Sequence, residues 1–227
     1  MITAMIAAMV FVLCSIFNYC ADNTLRISNI RIMNNKFQQQ KEGAIKGLND
    51  AKKTGDVDSD MVPLIDYVNS LPDYYTTSTC TGRTSLFYDP GGKLDSGWVG
   101  KWHSIVSAED VIKALAEMPP SGRIWFMHEP TIMHIVCRDL ARAGALVELA
   151  RNNGYKKTGI LSYKEDRVLV EVCGTERIDA PVAEEGKVLV ENKYIEYLTL
   201  LANEKFKKGM QRLKNFEKAL HALEERK

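Results

Sequence analysis

YYTTSTCTGRTSLFY, residues 74–88, is the stretch from which the fold class is read. Two runs crowded with β-branched and aromatic residues, Tyr74 to Cys80 and Thr84 to Tyr88, flank Thr81-Gly82-Arg83. Such residues fit a pleated surface and the glycine suits a reversal, so the pattern predicts two strands paired across a turn. Asp89-Pro90-Gly91-Gly92 closes the unit.

On the N-terminal side, residues 34–53 carry Phe37, Ala44, Ile45, Leu48 and Ala51 at helical spacing, and Thr54-Gly55-Asp56 supplies a stop. Residues 58–70 predict a second helix that opens on Asp58 and Asp60 and carries Val62, Leu64, Ile65 and Val68. Pro63 is compatible with that helix only in its first turn, and Leu71-Pro72-Asp73 ends it.

Downstream, residues 97–105 predict a strand, and Ser107 with Glu109 and Asp110 starts a helix that stops before Met118-Pro119-Pro120. Strands follow over 123–128 and 131–137. Asp139 caps a helix whose apolar face is Leu140, Ala143, Leu146, Val147 and Ala150, with Asn152-Asn153-Gly154 as its end. Residues 160–163 and 168–173 predict a hairpin. After Pro181 and Gly186 a long helix runs from about Asn192, with Phe206, Met210, Leu213, Phe216, Leu220 and Leu223 as a packing seam. Lys205, Lys207, Lys208, Arg212, Lys214 and Lys218 make its other positions basic. The expected architecture is α+β: a single mixed or antiparallel sheet packed with helices and finished by a long C-terminal helix.

With 227 residues, 45% hydrophobic, the chain can build one substantial core or two smaller ones that share an interface. A formal charge of +1 excludes a generally basic coat, so any nucleic-acid contact must come from a local patch. Cys14, Cys20, Cys80, Cys137 and Cys173 are scattered without a CxxC, which argues against a zinc site or a disulfide framework and favours a reducing, cytoplasmic setting. The opening MITAMIAAMVFVLCSIF has no charged side chain but also lacks the basic start of a secretory signal. Residues 1–32 are read as an extension ahead of a start at Met33, with a membrane anchor as the runner-up, and residues 33–227 as the working domain.

Two clusters could carry chemistry. Thr76 to Arg83 gathers hydroxyls, Cys80, a glycine and an arginine, able to surround an anionic group, although threonine-rich strands are more often plain sheet surface. Met127 to Arg138 brings together Glu129, His128, His134, Cys137 and Arg138; on a strand His134 and Arg138 share one face. No Walker motif and no GxGxxG follows a strand, which removes the NTPase and Rossmann readings. Cys80 or Cys137 could pair with His103 or His134, and spacing alone singles out none of these pairs.

Taken together and in order, YYTTSTCTGR, the GKWH at 100–103, HEPTIMHIVCR, NGYKKTGI and GKVLVENKYIEYLTLLANEKF resemble the wybutosine-synthesising protein 3 family, archaeal type, from about Phe37 to the C-terminus. Thr79 and Thr158 stand where serine is usual and keep the hydroxyl; Cys173 replaces an arginine of some relatives and removes an anion contact there. The resemblance implies an S-adenosylmethionine-dependent methyltransferase without a Rossmann domain. Its reaction would be methylation of nitrogen-4 of a tricyclic wyosine-type guanine beside the anticodon of phenylalanine tRNA. It further implies that Ser78, Thr79, Cys80, Arg83 and Thr158 line the cofactor pocket and that Glu129 or His134 takes the departing proton. Trp102, His103, Arg138 and Tyr155 would contact the base or the tRNA. No metal and no membrane partner is implied, and the alternative is a noncatalytic tRNA-binding or assembly protein of the same fold.

Overall fold

The strands expected from Tyr74 onward form, but they do not pair with their chain neighbours. In the computed structural model, which describes residues 35–92 and 95–224, β1 (Tyr74–Cys80), β5 (Ile132–Cys137), β7 (Arg167–Cys173) and β6 (Gly159–Lys164) make one antiparallel sheet in the order β1-β5-β7-β6. A second antiparallel sheet has the order β3-β2-β4-β8-β9, from β2 (Arg83–Asp89), β3 (Gly97–Trp102), β4 (Arg123–Glu129), β8 (Ile178–Glu184) and β9 (Lys187–Val188). The α+β class and the long C-terminal helix hold; of the mixed and antiparallel alternatives the strands take the antiparallel one, and they divide over two sheets where the sequence pattern suggests one. Residues 1–32, with the expected start at Met33, and the side chain of Leu223 lie outside the described residues. Among the described residues no helix is long and apolar enough to cross a membrane.

The division arises at three short passages, β1 to β2, β4 to β5 and β7 to β8, each of which changes sheet. At the first, Gly82 has φ +105°, and an added Cβ would lie 2.8 Å from the Glu129 carbonyl oxygen and 3.2 Å from the Thr131 nitrogen, so only glycine lets the first two passages touch. Thr131 Oγ1 donates to the Thr81 carbonyl at 2.7 Å, and the Gly174 N–H donates to the Thr131 carbonyl at 3.0 Å. Residues 74–88, which read as a hairpin, and residues 123–137, which read as two consecutive strands, therefore form a stapled junction. The 160–173 hairpin does form, as β6 on β7.

The helices are α1 (35–54), α2 (Val62–Ser70) after a 3-10 turn at Ser59–Met61, α3 (Ala108–Ala116), α4 (Leu140–Asn152) and α5 (Asn192–Glu224). Ser107 caps α3 by accepting from the Asp110 N–H at 3.1 Å, and Asp139 caps α4 by accepting from the Arg142 N–H at 2.8 Å, as read from the sequence. Pro63 sits in the first turn of α2. β8 has no counterpart in the sequence reading, because Pro181 argues against a strand interior; it is accommodated where the β4–β8 register shifts between Ile124 and Trp125.

Leu64, Ile65, Met133, Leu146, Val170 and Phe216 typify the core under the first sheet, and Leu86, Val111, Phe126, Val182, Ile195 and Leu198 that under the second. Each such fully buried side chain contributes about 1.5–3 kcal/mol. α5, 33 residues and so about 50 Å long, feeds both cores and serves as their common spine. At the junction Arg212 of α5 forks onto both carboxylate oxygens of Glu176, and its guanidinium stands over the Tyr155 ring at 5.7 Å. Arg212 is thus a structural cation rather than part of the basic outer surface.

His128 and Glu176 make stability pH-dependent in successive windows. Burial keeps His128 neutral, its pKa lowered to about 4 from 6.5. The unfolded chain then binds the proton more readily, so stability is complete above pH 6.5 and falls as the pH drops toward 4. The hydrogen bonds from Arg212 hold the Glu176 carboxyl at about 2 rather than 4.5, and its share is lost as the pH falls from 4.5 toward 2. Thermal melts across this range are expected to decline in both windows. His128→Gln should flatten the upper slope and Glu176→Gln the lower; an unchanged slope in either variant removes that group from the account.

Candidate active site

One rung of the first sheet carries the densest polar contact. Ser78, His134 and Glu171 are register partners across β1, β5 and β7. Ser78 Oγ lies 2.7 Å from His134 Nδ1, and His134 Nε2 lies 3.1 Å from Glu171 Oε2. All three are satisfied when Nε2–H donates to the carboxylate and Nδ1 accepts from the hydroxyl. A local device turns Ser78 this way. The Asn69 side chain of α2 accepts from the Thr76 N–H at 2.8 Å and donates to its hydroxyl at 3.0 Å, and the β1–β5 register then shifts between Thr76 and Ser78. β5 alternation buries Met133, Ile135 and Cys137 in the core and leaves His134 on the opposite face, as the sequence pattern predicts.

Ser78 also borders a cavity of about 450 Å³ between the second half of α1 and the free edge of β1. Thr76 to Thr79 form its strand wall, Asp56 and Val57 close one end, and Gly47 opens the helix wall, where an added Cβ would meet nothing within 4 Å. Hydroxyls, the edge strand's backbone and one carboxylate border a partly apolar hollow, an arrangement suited to a polar nucleoside with a cationic end.

Beyond residues 57–58 lies a second cavity of about 760 Å³, bordered by Asp58, Thr81, His103 and Ser104. Here Cys80 Sγ approaches His103 Nδ1 at 3.6 Å, and the same nitrogen lies 3.0 Å from Asp58 Oδ1. Thr81 donates to Asp58 Oδ2 from its backbone at 2.8 Å and its hydroxyl at 3.0 Å. Burial holds the Cys80 thiol above its ordinary pKa. Asp58, read from the sequence as a helix-starting acid, makes no side-chain capping bond and faces this cluster instead.

On the second sheet Arg83 pairs with Glu129 across β2 and β4 and lies over the Trp98 ring at 4.6 Å. Trp98, 43% exposed, meets the Phe87 ring edge-on at 5.1 Å, and Trp125 is the register partner of Phe87 on the other side. α3 and α5 pack on the opposite face, where Leu86, Ile124 and Phe126 point. The result is an open sheet face bearing three large aromatic rings and Arg83.

The structure brings Ser78 and His134 into contact, sets Thr79 beside the first cavity, joins Cys80 to His103, and joins Arg83 to Glu129. Four expected residues stand elsewhere. Trp102 faces the second core, its ring against Gly100, so it offers no stacking face on the open sheet. Tyr155 is fully buried, edge-on to Phe216 at 5.4 Å, and Thr158 is buried while its carbonyl accepts from Arg151. Arg138, at the far end of β5 and about 20 Å from the Cys80 rung at 3.3 Å per residue, is bound to Asp73 and the Pro72 carbonyl, beside Arg142 on the same carboxylate. Each of these removals has the same cause: an apolar or paired environment outcompetes solvent for the side chain.

Glu171, Asp56 and Trp98 are not among the site residues expected from the sequence. A signal exists for Glu171, since in VLVEV (168–172) the valines take one face and leave the carboxylate on the other.

The signature of the family described as Methyltransferase TYW3 matches residues 39–222. A Thermococcus kodakarensis protein described as tRNA(Phe) 7-((3-amino-3-carboxypropyl)-4-demethylwyosine(37)-N(4))-methyltransferase 1 is 38% identical over 191 residues, 83% of this chain and 96% of that protein. A Methanocaldococcus jannaschii protein described by the same activity is 33% identical over 190 residues, 82% of this chain and 98% of that one. Among solved structures, that of the PH1069 protein from Pyrococcus horikoshii is similar with TM-score 0.79 and 34% identity, covering 84% of this chain and 97% of that chain. An Aeropyrum pernix protein is similar with TM-score 0.64 and 25% identity, covering 73% and 98% respectively.

Proposed function

We propose that this chain, which belongs to the TYW3 methyltransferase family, methylates N4 of the 7-(3-amino-3-carboxypropyl)-4-demethylwyosine of tRNA(Phe), with S-adenosylmethionine as donor. A single observation carries the placement: Ser78 both borders the 450 Å³ cavity and touches His134. Bound in that cavity, S-adenosylmethionine supplies an electrophilic methyl group on its sulfonium. Thr77 to Thr79 and the β1 edge would offer hydrogen bonds to its ribose and base, and Asp56 a counter-charge to its cationic end.

The residues around the cavity have two tasks. One is to hold the acceptor nitrogen in line with the methyl carbon while water is excluded, which α1 and β1 do as walls. The other is to accept the proton that N4 releases as the N–C bond forms and the C–S pair returns to sulfur. Ser78 passes it to His134 Nδ1, and Glu171 at Nε2 balances the imidazolium charge. Arg83 and Glu129 hold each other beside Trp98 rather than entering this relay.

The unpaired bases of the anticodon loop stack on Phe87, Trp98 and Trp125, the mode by which open sheet faces hold single-stranded RNA. Arg83 and the exposed lysines of α5 supply phosphate contacts. Such a substrate sets the reaction in the cytoplasm.

Labelled methyl transfer into tRNA(Phe) carrying the 4-demethyl intermediate tests this reading. Gly47→Phe should fill the donor cavity and abolish S-adenosylmethionine binding while the helix is kept, since removing a helical glycine is favourable by up to about 1 kcal/mol. Trp98→Ala should raise the KM for tRNA about tenfold, given roughly 1–3 kcal/mol per stacked base, with donor binding intact. Full donor affinity in Gly47→Phe displaces the donor from this cavity; an unchanged tRNA KM in Trp98→Ala removes the sheet face.

A further inference from the structure

We infer that Asp58, Cys80 and His103 form a binding site for one zinc-class divalent cation, with a coordination position open to the adjoining 760 Å³ cavity. The methyl transfer has no use for this cluster, and the inference does not rest on that reaction. The three ligand atoms lie within 4.8 Å of one another, with Sγ to Nδ1 at 3.6 Å and Nδ1 to Oδ1 at 3.0 Å. Tetrahedral zinc with metal–sulfur of about 2.3 Å and metal–nitrogen or metal–oxygen of about 2.0–2.2 Å requires ligand-to-ligand edges of about 3.3–3.6 Å. The sulfur–nitrogen edge already has that spacing, and the nitrogen–oxygen edge is a few tenths of an ångström shorter.

Thiol and carboxylate converge on one ring nitrogen and on each other, so the three ligand atoms face a common centre. A cation at the centre serves all three. Asp58 is moreover oriented from behind, its Oδ2 held by the backbone and hydroxyl of Thr81 while Oδ1 is left facing inward, the outer-shell support characteristic of metal carboxylates. Thiolate, imidazole and carboxylate select zinc or cobalt over magnesium or calcium, which take oxygen ligands. Ionised Cys80 and Asp58 neutralise a divalent ion, as a partly buried position demands. Three protein ligands with an open cavity beside them leave the fourth position to water or an oxygen of a bound molecule.

The full chain, stripped with chelator, is titrated with cobalt(II) and then zinc(II). One equivalent should bind, with a thiolate-to-cobalt charge-transfer band and tetrahedral visible absorption that zinc abolishes. Cys80→Ser should lose the band, and His103→Asn and Asp58→Asn should each weaken zinc binding by more than the roughly 10–100-fold typical of losing a supporting contact. Cys173→Ser should change neither, and far-ultraviolet circular dichroism of each metal-free variant verifies the fold. Absence of a thiolate band, a band that survives Cys80→Ser, or zinc affinity unaltered in both His103→Asn and Asp58→Asn overturns the site.

Discussion

His134→Asn is expected to lower the single-turnover rate of methyl transfer by about 10²–10⁴-fold, the range for loss of a positioned proton acceptor, while donor and tRNA affinities stay near those of the parent. Asparagine can still bond to Ser78 or Glu171, so the rung is not left with empty partners. What it cannot do is carry the proton released by N4. Ser78→Ala breaks the relay one atom earlier and should give a loss of the same order. Glu171→Gln retains an acceptor for Nε2–H but not the charge that offsets an imidazolium, so a smaller loss is expected. A parent-like rate in His134→Asn would mean that catalysis rests on in-line placement and dry walls alone, with the proton leaving to solvent.

Gly82→Ala is expected to be the most damaging conservative substitution for stability. Holding a non-glycine residue at φ +105° costs about 1–3 kcal/mol. The new Cβ, 2.8 Å from a backbone oxygen and 3.2 Å from a backbone nitrogen, has no flexible neighbour to displace, so the contact adds to that figure. Typical substitutions cost about 1 kcal/mol. Because the two passages that touch there join both sheets, the urea midpoint should fall with no change in slope, and activity should fall with it as Arg83 is displaced from Glu129 and Trp98. Gly47→Ala provides the contrast: it lies in a helix with open space around it and should be neutral or stabilising. If both variants unfold at the same urea concentration, the junction relaxes freely and its glycine is not structurally required.

Much of the architecture is legible in the sequence. The Ser107 and Asp139 caps, the start of α5 at Asn192, the seam of Phe206, Leu213, Phe216 and Leu220, and the β6–β7 hairpin are all local patterns whose energetics are settled within a few residues. His134 and the hydroxyl run at Thr76 to Thr79 were legible for the same reason: alternation fixes which side of a strand a residue faces. Strand partners were not legible. β1 and β2 are joined by two residues that would suit a hairpin, yet β1 finds β5 and β2 finds β3 and β4. Pairing is decided by which faces bury together, a sum over residues distant in the chain.

The chemistry divides along the same line. From its sequence the chain has the α+β class, the long C-terminal helix, no Rossmann fingerprint, and the family to which it belongs, because periodicity, caps and motif order are one-dimensional properties. Only the folded structure brings Glu171 to His134, Trp98 beneath Arg83, and Asp58 to Cys80 and His103, and only it buries Tyr155 and Thr158, turns Trp102 toward the second core and ties Arg138 to Asp73. Those outcomes depend on distances between segments tens of residues apart and on competition for burial, and neither quantity exists until the two sheets have closed around α5.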